Sequence, residues 1–329
     1  MRHCRPSLQR AQAHHHCHCF HPPTTIALPL FSQLISLSLS MSLDTFAIAF
    51  IVFLFLQGLG NNSGDYQSLK QTLNDKYGVA TVVAKVSRLD WFRNAAGLLD
   101  RNYWRGTLLP RPVLDWYLER VHDAVQEAKE GAANGTVSLI GHSAGGWLAR
   151  VYMEEFGVSN DISLLLTLGT PHLPPPKGVQ GVIDQTRGLL DYVEQNCSKP
   201  VYTPQAQVKY VCIAGRYIKG ARLFGNSNPN PDIEGEAQLV SDAAILTTYP
   251  SKSNTTLRAR FVGQGYKQVC GQADVWGDGV VPEVSAHLEG ALNISFHGVY
   301  HSPVGADDAT RPWYGSPHVL DQWVQHLLN

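Results

Sequence analysis

The chain has 329 residues, is 44% hydrophobic and carries a formal net charge of −1. That length and apolar content suit one large globular domain with a substantial core. The near-neutral balance, with no basic block beyond the first ten residues, gives no case for a nucleic-acid partner.

Residues 1–43 contain no Asp or Glu. They hold Arg2, Arg5 and Arg10, a His/Cys cluster from His14 to Cys19, and serines at 32, 36, 38, 40 and 42. This composition predicts an organelle transit peptide, so residues 1–45 read as a targeting or disordered segment and the expected location is the plastid (chloroplast). A start at Met41 is an alternative, and with it a cytoplasmic or membrane-associated protein. The His/Cys cluster has nothing nearby to order its ligands, so no metal site is assigned to it. Of the six cysteines, Cys197, Cys212 and Cys270 lie in the body of the chain. An odd number cannot all pair, although one bridge such as Cys197–Cys270 stays compatible.

One folded domain is expected over residues 46–329. Its apolar run from Phe46 to Leu56 is shorter than the roughly 20 residues a membrane helix needs. It reads as a buried strand from about Ile51, with a secretory signal as the alternative. Gln57-Gly58-Leu59-Gly60-Asn61-Asn62 follows, a glycine loop that can present the Leu59 backbone N–H to a developing oxyanion. Residues 65–77 have helical spacing (Tyr66, Leu69, Leu73, Tyr77) and stop at Gly78. Residues 79–86 are β-branched and strand-like, and 87–110 read as a loop. Pro112 opens a helix with an apolar face from Val113 to Ala128 that ends at Gly131.

Val137 to Ile140 is a strand, and Gly141-His142-Ser143-Ala144-Gly145-Gly146 follows it directly. A helical stretch, Trp147 to Phe156, comes next. Strand, sharp turn and helix are the context that Gly-x-Ser-x-Gly requires as a nucleophile elbow. Ser143 is the candidate nucleophile, and the Ala144 N–H at the helix start is a second oxyanion donor. Residues 162–168 form another buried strand, ending in Gly169-Thr170-Pro171-His172. A helix is expected from Val179 to about Glu194, and a strand over 208–215. Segments 171–207 and 216–256 leave the core as cap or insert regions. The alternation of strands and helices predicts an α/β fold with a doubly wound, mainly parallel sheet.

Trp276-Gly277-Asp278-Gly279-Val280-Val281-Pro282 supplies a carboxylate in a glycine turn, with Asp274 as its rival. A last strand spans 292–296. His301 follows it as the candidate base, with His297 as the alternative, and a closing amphipathic helix covers 317–328. The order Ser143, Asp278, His301 is that of the α/β-hydrolases. Five Asn-x-Ser/Thr sites occur, at Asn61, Asn134, Asn196, Asn254 and Asn293. Glycans at Asn61, in the oxyanion loop, and Asn293, in a strand, would be awkward, which favours plastid or cytosol.

The Gly-His-Ser-Ala-Gly-Gly, Leu-Gly-Thr-Pro-His and Gly-Asp-Gly-Val-Val-Pro segments resemble those of plant and cyanobacterial lipase-like α/β-hydrolases of GPI inositol-deacylase-like type. The resemblance runs from Gly58 to Leu328. It implies Ser143 as nucleophile, Asp278 as orienting acid and His301 as base. One departure stands at Gln57, where such proteins carry Pro. The expected activity is carboxylic ester hydrolysis on a small-molecule or lipid ester, through an acyl-enzyme and with no cofactor or metal. A lipid substrate would also allow membrane-surface contact. The alternatives are acyl transfer by the same triad and a non-catalytic ligand receptor on the same scaffold.

Overall fold

The computed structural model describes residues 52–131, 135–200, 207–223 and 256–328. The expectations for residues 1–45, for Asn134 and Asn254, and for most of the 216–256 insert lie outside the described residues. Six parallel strands form the central sheet: β1 Val52–Leu56, β2 Ala80–Val83, β3 Val137–His142, β4 Ile162–Leu168, β5 Lys209–Arg216 and, after two short strands, β8 Leu292–His297. Their order in space is β2-β1-β3-β4-β5-β8. The short β6 Ile218–Lys219 and β7 Trp276–Gly277 pair antiparallel beside this sheet.

The sheet is buried on both faces, which is why its strands read as nearly unbroken apolar runs. Successive side chains alternate between two cores. Leu54, Leu56, Leu139 and Leu165 join one cluster with α2 (Asp115–Gly131), α3 (Ala144–Phe156) and α4 (Leu189–Asn196). Phe55, Ile140, Leu164 and Leu166 join the other with α1 (Gln67–Tyr77) and the C-terminal helix that starts at Pro317. This is the doubly wound α/β-hydrolase architecture expected from the sequence.

The chain leaves β1 toward β2 on one side and returns to β3 on the other. Open α/β sheets bind ligands in the crevice at such a switch point, outside the carboxyl ends of the strands. The two loops at this crevice are the Gly58 loop after β1 and the Ser143 turn after β3.

Four elements differ from the sequence reading. Residues Arg88–Leu99 form a 3₁₀ helix, opened by reciprocal hydrogen bonds between Ser87 and Asp90, where a loop was expected. The helix expected from Val179 starts at Leu189, because Gly178, Gly181, Arg187 and Gly188 adopt positive φ and Asp184 binds the Thr186 and Gly188 amides. A helix that was not expected, α5 Leu257–Cys270, packs Gly263 against the backbone of Ala221. The sequence's closing helix is two pieces, α6 Pro317–Trp323 and α7 Gln325–Leu328. Cys197, Cys212 and Cys270 are free thiols. Among the described residues no helix is long and apolar enough to cross a membrane.

Trp323 joins the core to the site side of the sheet: its ring is fully buried and its indole N–H donates to the Tyr314 carbonyl at 2.8 Å. Trp323→Ala is expected to cost about 3–5 kcal/mol of stability, read by chemical denaturation. A loss below about 1 kcal/mol, the range of a surface change, would contradict this packing role.

Candidate active site

Ser143 connects β3 to α3 with φ 53° and ψ −128°, a left-handed conformation rare for a residue with a side chain. Such strain costs about 1–3 kcal/mol and persists only where the surroundings impose it. Here the surroundings are backbone. A Cβ on Gly141 would strike Gly146, and one on Gly145 would strike the Leu56 and Gln57 carbonyls at the end of β1. The turn is held further by the Ser143 N–H to Leu168 O at 2.9 Å and by the Thr170 hydroxyl to Ser143 O at 2.8 Å. The Gly169-Thr170-Pro171-His172 segment thus supports the elbow through Thr170.

The Gly58 loop lies against the elbow, and a Cβ on Gly58 would fall 2.7 Å from the Ser143 Cβ. The Gly58 N–H donates to the Tyr66 hydroxyl at 3.3 Å, and the Asn61 N–H to Gly58 O at 3.1 Å. Between these two committed amides lies Leu59, whose residue lines the same cavity as Ser143 and Ala144. The Ala144 N–H heads α3 and, like other leading amides of a helix, has no carbonyl one turn back to bind. Leu59 and Ala144, whose amides the sequence proposes as donors, therefore line one cavity.

Asp278 is buried, and its carboxylate receives four donors. Oδ1 accepts the Val280 and Val281 amides at 3.0 and 2.7 Å, and Oδ2 accepts His301 Nδ1 at 2.7 Å and the Tyr314 hydroxyl at 2.8 Å. Full satisfaction is what an ionised buried carboxylate requires. The His301 amide also donates to the Asp278 carbonyl at 3.0 Å, so the two loops are joined twice. With Nδ1 protonated toward the carboxylate, Nε2 of His301 carries the free lone pair. His301 and Ser143 line the same cavity. Among the described residues no hydrogen bond joins the Ser143 hydroxyl to His301. Such contacts tighten when a ligand enters. The rival groups lie elsewhere: Asp274 pairs with Arg222 at 3.2 Å, and exposed His297 lies 3.4 Å from Arg216. Asn61 and Asn293 use their side chains within the fold, on Tyr66 and Leu288.

The cavity measures about 880 Å³. Trp91, Leu98, Leu108, Leu148, Leu173 and Leu190 are among its apolar walls. One wall comes from the 171–207 insert and another from residues 88–114, which the sequence analysis did not place at the site.

Two further side chains tie the site together. His142, the variable residue of the elbow, is fully buried. Its Nε2 lies 2.8 Å from the His301 carbonyl, which can only accept, so Nε2 carries the proton. Nδ1 then accepts the Tyr66 O–H at 2.8 Å. Tyr66 in turn accepts the Gly58 N–H and the Asn61 side-chain amide. One continuous set of bonds thus runs from the Gly58 loop through the elbow to the His301 loop. Burial keeps both members neutral: it pushes the Tyr66 phenol far up and, with the neighbouring His301, pulls the His142 imidazole down to about 3. Tyr66 was read from the sequence only as one of the helically spaced positions of residues 65–77, whereas it lies just before α1.

Tyr66→Phe removes the donor to His142 and the acceptor for two amides. Losing a buried hydrogen-bond partner costs about 1–3 kcal/mol. We expect Ser143 to react with a fluorophosphonate about tenfold more slowly in this variant. A purely structural Tyr66 would lower stability and leave the labelling rate of the folded protein unchanged. The pH dependence of stability follows from His142 and His172. Burial first, and the Arg150 guanidinium second, pulls His172 to about 3 as well. Both folded values lie below the ordinary histidine value near 6.5, so the unfolded chain binds protons that the folded chain refuses. Their contribution is complete above about pH 6.5 and is lost as pH falls toward 3. The melting midpoint should decline between about pH 6.5 and 4.5, above the main carboxylate range, and His172→Asn should make that decline shallower. An unchanged slope would show that His172 is not held neutral.

A family model described as the PGAP1-like alpha/beta domain matches residues 49–219, just over half of the chain, including the Gly58 loop and the Ser143 elbow. Asp278 and His301 lie beyond that match. Among solved structures, the mature form of Bacillus licheniformis lipase BlEst2 is 15% identical, with 85% of this chain and 93% of that chain covered at a TM-score of 0.44. The Arabidopsis methylesterase MES16 is 14% identical, with 51% of this chain and 78% of that chain covered at a TM-score of 0.29. No curated protein matches the chain. With a doubly wound parallel sheet, a strained serine at its switch point and the family match across both loops there, the chain belongs to the PGAP1-like alpha/beta domain family of lipase-like α/β-hydrolases.

Proposed function

We propose that the protein is a serine hydrolase of carboxylic esters that works through an acyl-enzyme on Ser143. The observation that carries this reading is the 2.7 Å bond from His301 Nδ1 to buried Asp278, at the cavity into which the strained Ser143 opens. In the reaction, Nε2 of His301 takes the Ser143 proton as Oγ attacks the ester carbonyl. The carbonyl oxygen becomes an oxyanion held by the Leu59 and Ala144 amides. Such donors act without reorganisation, and each is worth about 10²–10³ in rate. His301 then gives its proton to the departing alcohol, and the serine ester remains. Water, deprotonated by the same Nε2, releases the carboxylic acid and restores Ser143. Asp278 keeps the imidazole in the required tautomer and stabilises the imidazolium between steps.

The predominantly apolar cavity suits an acyl chain, which supports a lipid-like ester as substrate. The plastid location proposed from residues 1–43 is a separate reading that rests on their composition alone.

Ser143→Ala should abolish fluorophosphonate labelling and lower turnover of p-nitrophenyl esters by about 10⁴-fold or more. Asp278→Asn should keep the serine but lower kcat by about 10⁴. Ester turnover that survives in Ser143→Ala would sink the assignment.

A further inference from the structure

The 3₁₀ helix from Arg88 to Leu99 is long for its type, since such runs seldom exceed one turn. In a 3₁₀ helix side chains three apart eclipse, so the segment presents three straight stripes. Arg88, Trp91, Asn94 and Gly97 form the stripe facing the body of the protein. Arg88 pairs with Asp65, Trp91 packs on Trp116 and Tyr117, Asn94 accepts the Trp116 indole N–H, and Gly97 is buried. Leu89, Phe92, Ala95 and Leu98 form the second stripe. All four are exposed, Leu89 at 74% and Phe92 at 73%, and the stripe is about 18 Å long at 2 Å per residue. Phe92, Ala95 and Leu98 also line the cavity that holds Ser143, so the stripe continues its apolar wall outward.

The residues that follow extend this patch. Leu99 is 92% exposed. The exposed Trp104 is fixed beside the stripe by its indole N–H to the Leu98 carbonyl at 2.9 Å. Arg101 and Arg105, one helical turn apart, are exposed and form no ion pair among the described residues. The acids of the segment are already engaged: Asp90 by Arg93 and Arg120, and Asp100 as the cap of the Asn102 amide. An aqueous surface gives no reason to leave Leu89, Phe92, Leu98, Leu99 and Trp104 together without a cover.

We infer that residues 88–105 dock the protein on an anionic lipid surface, with the cavity mouth turned toward it. Leucine and aromatic side chains beside arginines are the chemistry that enters the boundary between headgroups and acyl chains. The continuity of the stripe with the cavity wall lets an acyl chain pass from that surface to Ser143 without crossing water. The function of the docking rests on the ester-hydrolase reading, whereas the docking itself can be measured without turnover.

The test uses the full chain carrying Ser143→Ala, so that no lipid is consumed. Binding is measured by flotation with vesicles of phosphatidylcholine alone and of phosphatidylcholine with phosphatidylglycerol. We expect binding that increases with phosphatidylglycerol. Leu89→Ser/Leu99→Ser/Trp104→Ser, three positions that do not line the cavity, should weaken binding to both vesicles at least tenfold. Arg101→Glu/Arg105→Glu should remove the preference for phosphatidylglycerol, since one arginine near such a surface is worth about fivefold in partitioning. An unchanged melting midpoint in both variants shows that the fold is retained. Wild-type binding that persists in both variants overturns the proposal, as does absence of binding. A dimer that dissociates in the triple variant, with no vesicle binding, would assign the stripe to a second copy of the chain and also overturns it. Loss of fluorophosphonate labelling in the wild-type protein would instead strike the hydrolase reading and leave the docking result standing.

Discussion

Everything at the site depends on one close approach, that of the Ser143 elbow to the end of β1. Gly145 lies against the Leu56 and Gln57 carbonyls, and Gly58 lies against Ser143 itself. The parallel pairing of β1 with β3 brings them together, with Leu56 opposite Gly141 in the register. No side chain fits at these contacts, and the left-handed conformation of Ser143 is the consequence. The same contact brings Leu59 and Ala144 to one cavity.

The second support is polar and comes from outside the sheet. Tyr66, His142 and the His301 carbonyl link the oxyanion loop to the base loop, while Tyr314 and two backbone amides complete the shell of Asp278. Helix α5 reinforces the acid loop, because the Tyr266 hydroxyl accepts the Gly279 amide at 2.9 Å and donates to Ile218 O at 3.2 Å. These groups are buried tyrosines and neutral histidine, which hold geometry without adding charge that would compete with the Asp278–His301 pair.

The parts legible in the sequence were those where backbone geometry restricts residue type. An elbow needs glycine at set positions, and buried parallel strands need apolar runs, so the turn at Ser143 and the strands of the core could be read directly. The loop after the last strand and the glycine turn around Asp278 were readable by their order. The hidden parts depend on partners distant in sequence. Tyr66 looks like any apolar member of an amphipathic helix until its hydroxyl meets Gly58 and His142. Residues 88–99 repeat with a period of three, which matches neither the helical nor the strand pattern sought in sequence. Helix α5 contains Gly263 and Gly265, which have low helix propensity; Gly263 is needed for contact with Ala221, a reason visible only in three dimensions. Gln57, which departs from the proline of similar proteins, is wholly buried with its side-chain amide on the Ala84 carbonyl, so it joins β1 to the strand beside it.

We propose that the β1 loop and the elbow form a single oxyanion hole. A crystal structure of the full chain with an alkyl phosphonate bonded to Ser143 tests it most directly. A single hole would hold the phosphoryl oxygen about 2.7–3.1 Å from both the Leu59 and Ala144 nitrogens. A phosphoryl oxygen held by Ala144 alone, or turned to solvent away from the Gly58 loop, would contradict it.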